Sequence, residues 1–365
     1  MRLVTTVELL ERGIRDGLHL GGQLFVSRAG RVEADLALGE ARPGEPMTPD
    51  HLVHWLSCGK PITAVAVAQL WERGQLSLDD PVAKHLPEFS AGGKEGVTVR
   101  HLLTHTSGIR ALRLGWPDVS WDELVAKISA MKLEPRWTPG EKAGYHLSSS
   151  WFILGELVQR LDGRELPDYL RQEIFQPLGM DDCWIGMPAE RFREYGSLVA
   201  GVFDTENDRQ QHRWSDEARM TRPSPGSSAV GPMNQLARFY AMLLADGEVD
   251  GHRVMSPQTV SALTARHRVG LWDHTFRAQL DWGLGFIVNS SHHGEENSPY
   301  GYGPHASPRT FGHSGFRSTA AFADPAHALV ICLEVNGTPA EDAHRARFEA
   351  LTAAIYEDLE LVRAR

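Results

Sequence analysis

An α+β fold is predicted for this 365-residue chain, with an antiparallel sheet flanked by helices and a mostly helical region inserted into it. Three observations predict it. Alternating apolar runs cluster near both termini, and helical spacing dominates the middle. No window approaches the ~18 consecutive apolar residues of a membrane span. The expected division is a discontinuous sheet domain, 1–75 with 275–365, and a helical domain, 76–274, with the site in the cleft between them.

Each element follows from local pattern. Val7, Leu10, Ile14 and Leu18 recur at helical spacing until Gly21-Gly22 breaks it. Leu24 and Val26 lead into a turn at Ala29-Gly30, and Val32, Ala34, Leu36 and Leu38 return, which predicts a β-hairpin. Helices are expected over 62–73, 99–104, 121–131, 151–161, 166–175, 235–245 and 257–265. Strands are expected over 281–289, 310–316, 318–324 and 328–335, the last two joined at Asp324-Pro325-Ala326-His327. Phe348, Leu351, Ile355 and Leu359 mark a closing helix. The long connections 202–231 and 290–309, rich in Gly, Pro, Ser and His, are expected to be lids or tips around a site.

Composition narrows the function. An apolar fraction of 42% and a charged fraction of 23% are those of a soluble globular protein. A net charge of −10 argues against a broad nucleic-acid surface. Cys58, Cys183 and Cys332 are odd in number and far apart, which suits neither a disulfide framework nor a zinc motif. Glu8, Glu11, Arg12, Arg15 and Asp16 leave no apolar stretch for a signal peptide near the first residue, so a cytoplasmic location is expected.

Three segments bear chemistry. In Ser57-Cys58-Gly59-Lys60, followed by Pro61 and an apolar helix, the ammonium lies one helical turn from the hydroxyl and can help remove its proton. Taken alone, Ser57 reads first as a helix N-cap and second as a nucleophile. The same spacing recurs at Ser129 and Lys132 within a helix, where it is coincidence. In Tyr145-His146-Leu147-Ser148-Ser149-Ser150-Trp151, a loop tyrosine precedes a helix; it is either a proton-transfer group or an ordinary loop residue. Phe311-Gly312-His313-Ser314-Gly315-Phe316 is a strand whose glycines admit a close neighbour, or a kinked edge strand.

Together, in this order, the three segments resemble the serine β-lactamase and penicillin-binding protein superfamily, in its class C-like branch. That branch includes class C β-lactamases, D-amino-acid peptidases and family VIII carboxylesterases. Leu102-Leu103-Thr104-His105-Thr106-Ser107-Gly108-Ile109, Asp79-Asp80-Pro81-Val82 and Gly283-Leu284-Gly285-Phe286 extend the resemblance over roughly residues 5–360. It implies Ser57 as the acylated nucleophile, Lys60 as its proton-relay partner, and Tyr145 as the base that also protonates the leaving group. The backbone N–H groups of Ser57 and Phe316 would form the oxyanion hole, with His313, Ser314, Gly315 and His146 at the substrate. Two departures stand out: Leu147 replaces the asparagine common after the tyrosine in β-lactamases, and His313 replaces a lysine. Both favour hydrolysis of small esters over β-lactams. Amide or D-peptide hydrolysis, β-lactam hydrolysis and acyl transfer are the alternatives, and a non-catalytic binding protein of the same fold is the reading from another class. The expected partner is a small ester or amide, with no nucleic acid, membrane, metal or cofactor.

Other groupings are weaker. His101 and His105 have metal-ligand spacing but no glutamate between them, and His292-His293 is expected to be solvated. Trp116, Trp121, Trp137, Trp214 and Trp272, among ten tryptophans, are candidate walls of an apolar pocket. Cys58 is expected to be a small packed side chain.

Overall fold

The structure is a computed structural model and describes residues 3–110, 114–294 and 301–362. An antiparallel sheet contains β1 (Gly21–Arg28), β2 (Arg31–Arg42), β3 (Glu45–Pro46), β4 (Asp281–Trp282), β5 (Ile287–Val288), β6 (Phe311–Gly315), β7 (Thr319–Asp324) and β8 (Leu329–Val335). Their order is β4-β5-β6-β7-β8-β1-β2-β3, so the two ends of the chain meet where β8 pairs with β1. Leu24 lies opposite Leu333 and Val26 opposite Ile331 in that pairing.

Five helices position the site: α1 (Val4–Arg15), α2 (Lys60–Glu72), α3 (Ser149–Asp162), α4 (Met233–Leu244) and α5 (Glu341–Asp358). Strand alternation gives the sheet two apolar faces. Leu329, Ile331, Leu333 and Val335 of β8 share a core with Leu10 of α1 and with Leu351 and Ile355 of α5. Val330 and Cys332 share the other core with α2, α3 and α4. Every residue of α2 from Lys60 to Leu70 is buried, which explains why its sequence is apolar all round. Among the described residues, no helix is long and apolar enough to cross a membrane.

The structure corrects some local expectations. The predicted strand 281–289 is two short strands, β4 and β5, with Gly283-Leu284-Gly285 between them. Gly285 has φ +84°, and a Cβ there would stand 2.4 Å from the Ala64 Cβ, so this turn packs directly on α2. The predicted helix 166–175 is an α-helix, Leu166–Leu170, that runs into a π-turn, Arg171–Phe175. Gly21-Gly22 opens β1 rather than merely ending the first helix. The connection 202–231 is not structureless: it holds a short helix, Glu217–Thr221, and a strand, Ala229–Gly231. Of the other expected lid, 290–309, residues 295–300 lie outside the described residues.

Candidate active site

Ser57 sits in a single 3₁₀ turn, Leu56–Gly59, that hands over to α2 at Lys60. The sequence places it at the helix start as a possible N-cap; the helix begins three residues later, and the Ser57 side chain caps nothing. Leu56 is held at φ +50°, a left-handed conformation that costs a leucine about 1–3 kcal/mol and persists only where the surroundings impose it. Those surroundings are identifiable. Trp55 N–H donates to the Ala229 carbonyl at 2.9 Å, and Trp55 Nε1 donates to the Gly231 carbonyl at 2.8 Å. A Cβ on Gly59 would stand 2.3 Å from the Ala229 Cβ, and one on Gly315 would stand 2.6 Å from the Trp55 carbonyl oxygen. The two glycines therefore let the strand Ala229–Gly231 and β6 close on the serine turn.

Two polar side chains converge on the Ser57 hydroxyl. Lys60 Nζ donates to Ser57 Oγ at 2.9 Å, and the Tyr145 hydroxyl donates to the same oxygen at 2.8 Å. Lys60 also donates to the Gly226 carbonyl at 2.6 Å, and its Nζ lies 5.1 Å from the Tyr145 ring centroid and 5.5 Å from that of Trp151. The side chain is wholly buried, and that burial pulls its pKa down to about 7, because a cation stripped of water is disfavoured. An amine that changes protonation near neutrality, in contact with a hydroxyl, can accept and return that hydroxyl's proton. Gly226 carries no signal in the sequence; only the fold of 202–231 brings its carbonyl to the lysine.

β6 runs alongside this group. His313 is buried, and its Nδ1 donates to the Ser314 carbonyl at 2.8 Å, which leaves Nε2 as an acceptor without a hydrogen-bond partner. Burial, and then the Lys60 charge, push the imidazole down to about 3, so it is neutral. Cys58, a packed thiol as expected, donates to the His313 carbonyl at 3.0 Å. The expectation that His146 touches substrate does not fit its surroundings. It is wholly buried, with Nε2 accepting the Ile109 N–H at 3.1 Å and pairing with the Ser107 hydroxyl at 3.1 Å. Spacing within a loop does not reveal which way a side chain points, and here Tyr145 faces the serine while His146 faces the core.

Two cavities meet at Ser57. The larger, about 500 Å³, is walled by Leu56, Leu114, Trp116, Phe152, Trp214 and Met220, with Asp118 and Arg219 beside them. The second, about 390 Å³, is walled by Tyr145, Thr275, Phe276, Ile287, His313 and Ser314, with Glu341 and Arg345 from α5. Ser57, Leu147 and Phe316 border both. Of the candidate tryptophans, only Trp116 and Trp214 line these spaces. Trp121 packs on Phe152, Trp137 lies under Arg110, and Trp272 is exposed.

A family model described as Beta-lactamase matches residues 8–354. The chain belongs to the beta-lactamase family. It is 27% identical over 343 residues to the esterase/beta-lactamase LipL of Mycobacterium tuberculosis, an alignment covering 87% of this chain and 77% of that one. A penicillin-binding protein homologue from Caulobacter crescentus is similar in structure, with 30% identity, a TM-score of 0.79 and 97% of each chain covered. A family VIII carboxylesterase is similar too, with 26% identity, a TM-score of 0.80 and 97% of each chain covered. The expected α+β, β-lactamase/transpeptidase-like fold is thereby borne out.

The remaining groupings lie outside the pair of cavities of this beta-lactamase-family protein. Ser129 is buried with its hydroxyl unpaired, whereas Lys132 lies beyond the end of that helix and is exposed. His101 closes a capping box with Thr98, and His105 Nδ1 accepts the His146 N–H at 2.9 Å, so the two rings serve different neighbours. His292 and His293 are not simply solvated: their Nε2 atoms lie 3.3 and 2.9 Å from the buried Asp281 carboxylate. These three are the group with metal-ligand spacing among the described residues. Arg266 Nε already occupies that carboxylate at 2.8 Å, and a second cation there would meet the guanidinium.

Proposed function

We propose that this protein is a carboxylic-ester hydrolase that works through an acyl-serine at Ser57. The observation that carries the reading is the convergence of Lys60 and Tyr145 on Ser57 Oγ, at 2.9 and 2.8 Å, where two cavities join. Ser57 Oγ attacks the acyl carbon as its proton passes into the Lys60–Tyr145 pair. The Tyr145 hydroxyl, which walls the second cavity and not the first, returns a proton to the departing alkoxide. Water then attacks the acyl carbon by the same path in reverse, releasing the acid and restoring Ser57. The larger, aromatic cavity takes the acyl group, and the second takes the alcohol.

The N–H groups of Ser57 and Phe316 are the oxyanion donors in this reading. Both residues border the cavities, and neither N–H has a hydrogen-bond partner among the described residues. His313 and Ser314 line the alcohol side. Gly315 serves by close packing. The neutral His313 supplies no positive charge to hold a carboxylate, which favours neutral esters over β-lactams. The similarity to a family VIII carboxylesterase supports the same choice, whereas LipL is named for both esterase and beta-lactamase. A second reading is acyl transfer to an alcohol, since the second cavity, about 390 Å³, that takes the departing alcohol can equally hold an incoming one. The division into 1–75 with 275–365 and 76–274 belongs to this proposal, as does a cytoplasmic setting, which suits three free, buried thiols.

The test is a fluorophosphonate adduct located by mass spectrometry, beside a panel of p-nitrophenyl esters, D-amino-acid amides and nitrocefin. One adduct on Ser57, with esters turned over best, is expected. An adduct on another residue overturns the assignment. Alcohol added to the assay diverts the product to a new ester if transfer is the native outcome.

A further inference from the structure

Tyr145 reaches Ser57 from a segment with no regular secondary structure, yet its backbone is held by buried side chains. Its own N–H donates to Asp273 Oδ1 at 3.1 Å, the following N–H, of His146, donates to His105 Nδ1 at 2.9 Å, and its carbonyl accepts from Thr275 Oγ1 at 3.2 Å. Asp273 Oδ1 also accepts the N–H groups of Thr275 and Phe276 at 2.9 and 3.0 Å. That turn carries the Phe276 ring to 4.8 Å from the Tyr145 ring. One carboxylate oxygen thus ties the tyrosine to the turn that walls its other side.

The second oxygen of Asp273 faces Arg268 at 3.1 Å, with both side chains no more than 1% exposed. Arg268 in turn donates to the carbonyl of Thr104, the residue before His105, at 3.1 Å and to that of Leu280 at 3.2 Å. The His105 ring lies 4.7 Å from the Tyr145 ring and 4.5 Å, edge-on, from that of Trp282. The ion pair therefore joins the two sides of the clamp, the His105 side and the Asp273 side. A buried pair of this kind contributes little net stability but fixes geometry, and removing one partner strands the other's charge.

We propose that Asp273, paired with Arg268, is a positioning residue for Tyr145: it holds the backbone that aims the phenol at Ser57 Oγ. The proposal rests on the reading of Tyr145 as the proton-transfer group. Proton transfer falls off steeply with distance, and a displacement of ~1 Å costs on the order of a hundredfold in rate. Asp273 also holds the N–H groups of Thr275 and Phe276, which wall the second cavity. A moved wall therefore shows in KM whatever residue stands at 145, whereas lost aim shows in kcat and only while the Tyr145 hydroxyl is present.

The test is a cycle of variants measured on a neutral p-nitrophenyl ester. In Asp273→Asn, the oxygen that accepts three N–H groups can stay, but the amide NH₂ then faces the Arg268 guanidinium, donor against donor. Asp273→Asn combined with Arg268→Met removes that conflict and keeps the experiment readable where the single variant folds poorly. Expected is a fall in kcat of about 10- to 100-fold for Asp273→Asn, KM within about threefold, and partial recovery in the double variant. In a Tyr145→Phe background the same substitutions should cost less than about threefold, because there is no longer a phenol to aim. Equal losses in both backgrounds, or a change confined to KM, would overturn the positioning role. A Tyr145→Phe enzyme within about threefold of the wild type would instead overturn the role given to Tyr145 itself.

Discussion

Lys60 donates to the Gly226 carbonyl at 2.6 Å while also touching Ser57 at 2.9 Å. The lysine is thus anchored without the serine. Removing the Ser57 hydroxyl leaves a buried amine that keeps a hydrogen bond to the backbone, so Ser57→Ala should fold with little loss of stability. Activity should nevertheless fall by several orders of magnitude, since only binding and the oxyanion donors remain. Thermal unfolding beside ester turnover checks both halves. Near-normal turnover by a folded Ser57→Ala protein would remove Ser57 from the mechanism.

The depressed Lys60 pKa sets a pH dependence whose sign is definite. Burial lowers the group to about 7, so its neutral form, the one able to accept the Ser57 proton, grows as pH rises through that value. The kcat/KM for a neutral ester should therefore climb between about pH 6 and pH 8 and then level. Lys60→Arg, charged throughout, should lose this limb and on the order of 10²–10⁴ in rate. A flat wild-type profile across that interval would show that the lysine is not the titrating group.

Much of this arrangement is legible in the sequence, because the Ser57–Lys60 pair depends on three-residue spacing at a helix start, which local pattern conveys. Strands β6, β7 and β8 are legible for the same reason, since a short apolar run bounded by turn residues is a local signal, and all three are buried along nearly their whole length. The carbonyl of Gly226 and the carboxylate of Asp273 are not, because each acts from an irregular segment at a place that only tertiary folding decides. His146 is misjudged on the same ground: adjacent loop residues 145 and 146 point opposite ways. The strand 281–289 is misjudged because a continuous apolar run does not show that Gly285 must turn against Ala64.

Ser129 offers a control for the motif itself. It has the same spacing to Lys132 as Ser57 has to Lys60, but its hydroxyl is buried and unpaired, and its carbonyl accepts from Lys94 at 3.0 Å. A buried hydroxyl without a partner is a cost, so Ser129→Ala should leave the melting temperature unchanged or raise it slightly. Its kcat/KM should stay within about threefold of the wild type. A larger loss in a folded variant would mean that the second pair contributes to turnover.

Gly315 tests how tightly β6 must approach the serine turn. An added Cβ would lie 2.6 Å from the Trp55 oxygen and 3.1 Å from the Leu56 Cβ, so Gly315→Ala must push β6 and the turn apart. Overpacking of this kind costs about 1–3 kcal/mol of stability. Because Phe316 follows directly, the displacement also moves one proposed oxyanion donor away from the other, and kcat should fall by roughly tenfold or more. An alanine variant with unchanged kcat would show that Phe316 N–H is not a donor.

His313 decides what charge the substrate brings. Its Nδ1 is committed to the Ser314 carbonyl, and burial together with the Lys60 ammonium holds its pKa at about 3. The sign follows: the imidazole is uncharged at every pH above that value, so it contributes no titration between about pH 5 and pH 8. It borders the second cavity beside Glu341 and Arg345, and with its Nε2 buried and its ring neutral it offers an anion no charge at the serine end of that cavity. Nitrocefin, an anion, should therefore be turned over less efficiently than the best p-nitrophenyl ester. His313→Lys brings an ammonium to this wall and should shift the ratio of kcat/KM values toward the anionic substrate. The new cation would also lie near Lys60 and favour its neutral form, so the rising limb of the neutral ester's pH profile should move to lower pH. His313→Gln, which keeps a neutral acceptor, should leave the ratio within about threefold. Should wild-type turnover of nitrocefin exceed that of every ester, the neutral imidazole is not what selects the substrate, and the β-lactam reading takes precedence over the esterase.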